Sequence, residues 1–238
     1  MRIPDPFDGA YKAPVDLEGV YAFIGMPTGP DIPWQTVQSL QATTAKLHRM
    51  GLPHDLTLVS GCSIVENARN LVAKEFLASK ATHLFMIDSD MQWDEDDFLK
   101  VLALATKMPI VCAAYVAKKE PMMFMLNQDL GKNLTSNEYG CLPVGGMGLG
   151  FCCVQRQVIE ALEREAPKVS LFQHPTKTAA IFQCDIHAGE FRGEDIRFFQ
   201  DALNEGYQCW LEPNITLGHV GTKVYSACIT NCLKKVEG

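Results

Sequence analysis

His83-Leu84-Phe85-Met86-Ile87-Asp88-Ser89-Asp90 is the stretch of sequence that decides the fold. A short apolar run that is rich in β-forming residues and ends in acidic ones is typical of a buried strand. Asp88 and Asp90 follow the run, and side chains two residues apart in an extended chain point the same way. Ligands of open α/β sheets bind beyond the carboxyl ends of the strands. The two carboxylates therefore indicate either a site for a divalent cation and a phosphorylated ligand, or a cap for the next helix.

The composition limits the class of protein. The 238 residues are 47% hydrophobic and carry a formal net charge of −7, which predicts one full-sized globular domain, 1–238. The acidic balance disfavours nucleic acid and anionic membranes as partners, although it leaves room for a local basic groove. We find no signal peptide and no membrane-spanning stretch, so we expect a cytoplasmic protein without membrane insertion. The nine cysteines include no Cys-x-x-Cys pair, which favours reduced thiols over a zinc site.

The first half of the chain alternates predicted strands and helices. We predict strands at 20–26, 56–60, 83–87 and 109–115, and helices at 33–50, 63–80 and 94–107. This alternation is typical of an α/β fold, a three-layer α/β/α sandwich with a mostly parallel central sheet. Ser63 to Glu66 has the form of a capping box at the start of the second helix. The acidic run Asp94 to Asp97 is interpreted as a first helical turn rather than as metal ligands.

Beyond residue 116 the alternation weakens. We predict further strands at 122–126, 141–144, 151–154, 179–184 and 215–217, helices at 156–165 and 194–206, and a C-terminal helix within 222–238. In the helix at 194–206, the spacing of Ile196, Phe199 and Leu203 predicts that they face the core. Glu194 and Asp195 then lie at the exposed rim of the first turn. A carboxylate held by backbone N–H groups keeps a low pKa, which suits a general base.

A histidine flanked by glycines gives the third candidate site residue. His219 is predicted to lie just past a short strand, free to point into a site, although an isolated histidine is more often packed in the interior. Asp90 and His219 together would offer oxygen and nitrogen ligands, a set that favours Mn²⁺ over Mg²⁺. Two other phosphate-binding motifs are excluded. Gly146-x-Gly148 lacks the next glycine of a Rossmann fingerprint, and the first strand is not followed by a P-loop.

Taken in order, these segments resemble a glycosyltransferase of the GT-A fold, close to the large inverting family 2. The resembling segments are the first strand with its Pro/Gly-rich loop, Asn67-Ala68-Arg69-Asn70, Phe85 to Met91, Gly146 to Gly150, Glu194-Asp195-x-x-Phe198 and Gly218-His219-Val220-Gly221. The chain is most similar to short stand-alone members from phage and bacterial genomes, which would place it in the host cytoplasm if a phage encodes it. The resemblance implies a nucleotide-binding half at 20–115 and a smaller acceptor and catalytic half at 116–221.

The resemblance also implies the reaction and the role of each site residue. A sugar would pass from a nucleotide sugar, with UDP expected, to an acceptor hydroxyl with inversion. Asp90 and His219 would ligate Mn²⁺ (or Mg²⁺), with Asp88 beside the metal or the ribose. Asp195 would be the general base, with Glu194 as its substitute. The remaining residues implied in donor binding are Pro27, Thr28, Arg69, Ser89, Gly146, Met147 and Gly148.

Other functions stay open at the level of sequence. The chain could be a non-catalytic module that binds nucleotide sugars or glycans, or a transferase that retains the anomeric configuration. A nucleotidyltransferase is a further alternative, disfavoured because the loop Pro27-Thr28-Gly29-Pro30 has no lysine or arginine. The acceptor could be a small molecule, a glycan, a protein or a modified DNA base. The sugar and the oligomeric state are left open.

Overall fold

The computed structural model describes residues 16–126, 135–171 and 176–233. The strands in these ranges are β1 (Ala22–Pro27), β2 (His54–Val59), β3 (His83–Ile87), β4 (Met91–Gln92), β5 (Ile110–Ala113), β6 (Leu142–Val144), β7 (Phe151–Gln155), β8 (Lys168–Val169), β9 (Thr178–Ala179), β10 (Asp185–His187), β11 (Glu190–Arg192), β12 (Cys209–Glu212), β13 (Gly218–Val220) and β14 (Val224–Ser226). The α-helices are α1 (Trp34–Arg49), α2 (Val65–Ala78), α3 (Glu95–Leu104), α4 (Arg156–Glu165) and α5 (Glu194–Asn204).

The central sheet has seven strands in the order β2-β1-β3-β7-β5-β12-β6. Strands β1, β2, β3, β5 and β12 run in one direction, whereas β6 and β7 run in the other. The predicted α/β class with a mostly parallel sheet is confirmed. The position of β7, antiparallel between β3 and β5, is a feature that the alternation of elements did not predict.

Both faces of the sheet are covered by helices. Phe23 belongs to a core that includes Phe76 of α2, whereas its neighbour Ile24 belongs to a second core that includes Leu47 of α1 and Phe98 of α3. Successive side chains of a strand point to opposite faces, so a strand buried on both sides reads as a continuous apolar run. This explains why β3, whose five residues are all buried, carries no polar alternation.

A second, three-stranded sheet in the order β14-β13-β4 adjoins the end of β3. After β3 the chain turns, with Met91 N–H donating to the Asp88 carbonyl at 3.2 Å, and continues into β4. Strand β4 pairs antiparallel with β13, and Val220 N–H donates to the Asp90 carbonyl at 2.7 Å. The small sheet therefore joins the segment after β3 to a segment near the end of the chain.

The helix starts show one confirmed prediction and one error. Asp94 caps α3 by accepting from the Asp96 N–H at 2.8 Å, so the acidic run is a helix start, as predicted. The predicted capping box at Ser63 is wrong, because Ile64 is the N-cap of α2 and no side chain caps this helix. Glu66 instead lies 2.9 Å from the Cys184 thiol, which donates to its carboxylate.

Several predicted strands are absent from the part of the chain that the structure describes. The segment 122–126 makes only isolated bridges, 179–184 contributes only to the two-residue β9, and 215–217 is not a strand. Short apolar runs give no period from which a strand can be distinguished from a packed loop. The predicted C-terminal helix is also wrong over 222–233, where β14 and a 3-10 helix, Ile229–Cys232, are found. Residues 234–238 lie outside the described residues.

No helix among the described residues has both the length and the apolar character needed to cross a membrane.

Removing the amine of Lys100 should destabilise the fold strongly. Its Nζ lies 3.0 Å from Glu212 Oε1 at the end of β12, and the Glu212 side chain is fully buried. Breaking a buried ion pair by removing one partner costs about 3–5 kcal/mol of unfolding free energy, because the other charge is left uncompensated. We expect this loss for Lys100→Met in urea denaturation. The control is Lys46→Met, which breaks the surface pair with Asp96 and should cost about 1 kcal/mol or less. Equal losses would contradict the argument.

Candidate active site

A cleft of about 290 Å³ opens at the carboxyl ends of β1 and β3. It is lined by the end of β1 and the loop after it, by the start of α2 and the residues just before it, by the turn after β3, and by β13. The predicted site residues that line it are Pro27, Thr28, Arg69, Asp88, Ser89, Asp90 and His219. Four separate segments of the sequence therefore supply one cleft.

Asp90 and His219 lie next to each other in this cleft. His219 Nε2 is 3.5 Å from Asp90 Oδ1, and its Nδ1 is 2.9 Å from the Val116 carbonyl oxygen. Because a carbonyl can only accept, Nδ1 carries a proton. Nε2 faces the carboxylate, to which it donates when the ring is protonated and presents a lone pair when the ring is neutral. His219 lies within β13 and not after a strand at 215–217, so the predicted placement is corrected. Pairing of β13 with β4 fixes its position.

Lys118 is a site residue that the sequence reasoning did not select. Its Nζ contacts Asp90 Oδ2, on the side of the carboxylate away from His219. Burial raises the pKa of Asp90, but hydrogen bonds from His219 and Lys118 outweigh burial and lower the pKa to about 2. Asp90 is thus ionised at neutral pH. The sequence signal was the position of this lysine just after the fourth predicted strand.

Arg69 connects the two acidic segments of the site. This buried guanidinium donates from Nη2 to Asp88 Oδ1 at 2.8 Å and from Nε to Glu194 Oε1 at 3.3 Å. Burial alone would lower the pKa of Arg69, but the charges of Asp88 and Glu194 outweigh it and raise the pKa. Asp88 and Glu194 are therefore both ion-paired with Arg69.

The structure brings together two of the three residues that the sequence predicted as metal ligands. Over residues 16–126, 135–171 and 176–233, no group of three or more His, Cys, Asp or Glu could hold a metal ion. Asp88 is held by Arg69, which leaves Asp90 and His219 as the pair. Ligands bound at roughly 2.1 Å around one ion lie roughly 3–3.5 Å from each other. The 3.5 Å between His219 and Asp90 fits that spacing.

Asp195 lies in the first turn of α5, as predicted, but in different surroundings. Its Oδ1 accepts from the Ile196 N–H at 2.7 Å. The expected low pKa is wrong: burial raises the pKa of Asp195 and outweighs this hydrogen bond. The predicted core face is also corrected, because Leu203 is 44% exposed and the buried side chains are Phe198, Phe199 and Ala202. On this buried face of the helix, Phe198 stacks on Phe182 with ring centroids 4.9 Å apart.

The predicted glycine segment lies behind the cleft and does not line it. Met147 is fully buried in the core. A Cβ on Gly146 would lie 3.0 Å from Phe199, and one on Gly148 would lie 2.1 Å from the Tyr115 hydroxyl. The Tyr115 ring in turn packs edge-on against His219, with ring centroids 5.2 Å apart. Because Gly148 has no side chain, Tyr115 can occupy the position in which it packs against His219.

Comparison with known proteins supports the fold. No protein-family model and no curated protein sequence matches the chain. Among solved structures, A197 from STIV matches with a TM-score of 0.56 and 19% identity, over 85% of this chain and 86% of that one. GalNAc-T7, solved with UDP, GalNAc and Mn²⁺, matches with a TM-score of 0.53 and 10% identity. That match covers 87% of this chain but 45% of GalNAc-T7. Together with the sheet, these likenesses define a GT-A-like fold.

Proposed function

We propose that the chain is a glycosyltransferase that moves a sugar from a nucleotide sugar, with UDP as the expected nucleotide, to an acceptor hydroxyl. The observation that carries this proposal is the Asp90–His219 pair in a cleft at the carboxyl ends of β1 and β3. The GT-A-like fold supports it, as does the presence of UDP and Mn²⁺ in the structure of GalNAc-T7.

The residues of the cleft fit a divalent cation. With Nδ1 of His219 donating to the Val116 carbonyl, the neutral imidazole presents its Nε2 lone pair to a carboxylate oxygen 3.5 Å away. Two electron-rich atoms in this arrangement favour a cation between them, and a mixed oxygen and nitrogen set suits Mn²⁺. The bound ion would act as a Lewis acid towards the diphosphate of the donor. The outer hydrogen bond to Val116 orients the histidine for that role.

The donor would lie along the rest of the cleft. Pro27, the last residue of β1, and Thr28 lie on one side, and Ser89 lies on the other. Arg69 Nη1 is buried without a hydrogen-bond partner among the described residues, while the other guanidinium nitrogens hold Asp88 and Glu194. A buried donor without a partner is costly unless a ligand satisfies it. We assign this Nη1 to a phosphate or sugar oxygen of the donor.

Asp195 is the proposed base for the acceptor. Its Oδ1 is held by the Ile196 N–H, so Oδ2 is the atom that would take the proton of the attacking hydroxyl. A carboxylate whose pKa is raised by burial is a stronger base than an ordinary aspartate. Attack from the face opposite the leaving diphosphate would invert the anomeric centre. Glu194 is held by Arg69 and is therefore not assigned as the base.

Binding of UDP in the presence of Mn²⁺ tests the proposal. We expect UDP with Mn²⁺ to raise the melting temperature of the protein by several degrees, since ligand at 100 times its Kd stabilises by about 2.7 kcal/mol. UDP alone or Mn²⁺ alone should give a smaller shift. Nucleotide sugars are then screened for transfer, and NMR of the product gives its anomeric configuration. No shift with any nucleoside diphosphate would contradict the assignment, whereas binding without turnover would favour a non-catalytic module.

A further inference from the structure

Lys118 and His219 contact different oxygens of the Asp90 carboxylate. The Lys118 ammonium contacts Oδ2, while His219 Nε2 faces Oδ1 at 3.5 Å. Both the Lys118 and the Asp90 side chains are 33% exposed, so the contact lies at the open side of the cleft. The ammonium therefore neutralises the same carboxylate that the proposed metal ion would use.

The backbone around Lys118 is fixed, although its side chain is long and flexible. Two residues earlier, the Val116 carbonyl anchors His219. The loop is closed by hydrogen bonds from Ala117 N–H to the Met123 carbonyl and from Lys119 N–H to the Ala117 carbonyl, each 2.8 Å long. The aliphatic part of Lys118 crosses Gly221, where a Cβ would lie 3.1 Å from Lys118 Cδ. A lysine on such an anchored loop can move its charge by rotating side-chain bonds alone.

An ammonium and a divalent cation cannot both stay in contact with Asp90 without strong repulsion between them. The lysine must therefore leave this carboxylate when the ion binds. Once released, it remains at the open side of the cleft, where the phosphates of a bound nucleotide would carry negative charge.

We propose that Lys118 is an exchangeable counter-cation, which holds Asp90 when no metal is bound and moves to the nucleotide diphosphate when metal and nucleotide bind together. This inference rests on the proposed function. It makes binding of metal and nucleotide cooperative, because the ion competes with the lysine unless phosphates are present to receive the ammonium. By linkage, each ligand must raise the affinity for the other by the same factor.

The exchange can be tested by measuring the affinity for metal directly, without an activity assay. Mn²⁺ is titrated by calorimetry and by EPR into the protein without nucleotide, and again with saturating UDP. If Lys118 occupies Asp90 about 90% of the time, its removal should raise the affinity for Mn²⁺ alone about tenfold. We expect this gain for Lys118→Met. The factor by which saturating UDP raises the affinity for Mn²⁺ should fall about tenfold in the same variant.

Two further variants locate the effect. Lys119→Met removes the same charge from the next position of the loop and should leave the affinity for Mn²⁺ alone within about twofold of the unchanged protein. In the Lys118→Met background, Asp90→Asn should abolish the gain, because the gain arises at this carboxylate.

The outcomes separate this inference from the proposed function. If the unchanged protein binds Mn²⁺ and UDP together but Lys118→Met and Lys119→Met have equal affinities for Mn²⁺, the exchange is wrong and the proposed function stands. A gain in Lys118→Met that survives Asp90→Asn would also overturn the exchange. If the unchanged protein binds no Mn²⁺ with or without UDP, the metal-dependent function fails with it.

Discussion

Asp195→Asn should lower kcat for sugar transfer by about 10²–10⁴-fold, the contribution that a positioned general base usually makes. The amide keeps the shape of the side chain and its oxygen can still accept from the Ile196 N–H, which is 2.7 Å from Oδ1. It cannot take a proton from an acceptor hydroxyl. Because Asp195 is not among the residues that line the cleft, the Kd for UDP with Mn²⁺ should stay within about threefold.

The matched control for this variant is Glu194→Gln on the same helical turn. Glu194 Oε1 is bound to Arg69 at 3.3 Å, so its loss should disturb Arg69 and weaken donor binding more than it lowers kcat. If Asp195→Asn retains full transfer and Glu194→Gln loses it, the base is Glu194. If neither variant changes turnover, the assignment of α5 as the catalytic helix is wrong.

The pH dependence of transfer should report the raised pKa of Asp195. Burial favours the protonated carboxyl, so the folded protein binds this proton at higher pH than an unperturbed aspartate with a pKa of 3.8. Since the base must be ionised, kcat should fall as the pH drops, with the midpoint above 3.8. The pH–rate profile, measured at saturating donor and Mn²⁺, checks this shift. A midpoint at or below the ordinary value would contradict it.

Asp90→Asn should abolish the dependence of UDP binding on Mn²⁺, with a loss of affinity of about 100-fold when Mn²⁺ is present. The pair formed by Asp90 and His219 supplies both proposed protein ligands, and a neutral amide is a poor ligand beside an imidazole. Melting temperature and calorimetry, each with and without Mn²⁺, measure the effect.

Asp88→Asn is the matched control, since it makes the same chemical change two residues away. Asp88 is held by Arg69 at 2.8 Å, so this variant should weaken UDP binding by a similar factor with and without Mn²⁺. If instead Asp88→Asn removes the metal dependence and Asp90→Asn does not, the metal is bound by Asp88, and the structural assignment of the pair is wrong.

Much of the fold could be predicted from local pattern. The alternation of apolar runs with amphipathic helices gave the α/β class, and β3 was predicted with its observed bounds, His83–Ile87. The order of the sheet could not be predicted, because β7 lies antiparallel between β3 and β5 and no local signal specifies a strand's neighbours. The small sheet was missed for the same reason, since β4 has only two residues.

The candidate site could likewise be predicted only in part: its residues could be selected from the sequence, but their contacts could not. Asp88, Asp90, Asp195 and His219 were selected because acidic residues after a strand, acidic residues at a helix start, and a histidine between glycines are local signals. The contacts that give these residues different roles join distant parts of the chain. Arg69 and Glu194 are 125 residues apart, and His219 and Val116 are 103 apart. In the sequence, Lys118 has the features of an exposed surface lysine, and only its contact with Asp90 in the folded chain marks it as a site residue.

By itself, the sequence determined which residue types are available and where strands and helices begin, because these depend on neighbours within a few positions of the chain. Only the tertiary structure decided that Asp90 pairs with His219 and Lys118 while Asp88 pairs with Arg69. It also decided that burial raises the pKa of Asp195, where the helix start alone predicted a lower one. The physical reason is that charge, desolvation and hydrogen bonding depend on distance in space, which the folded chain sets and the sequence order does not.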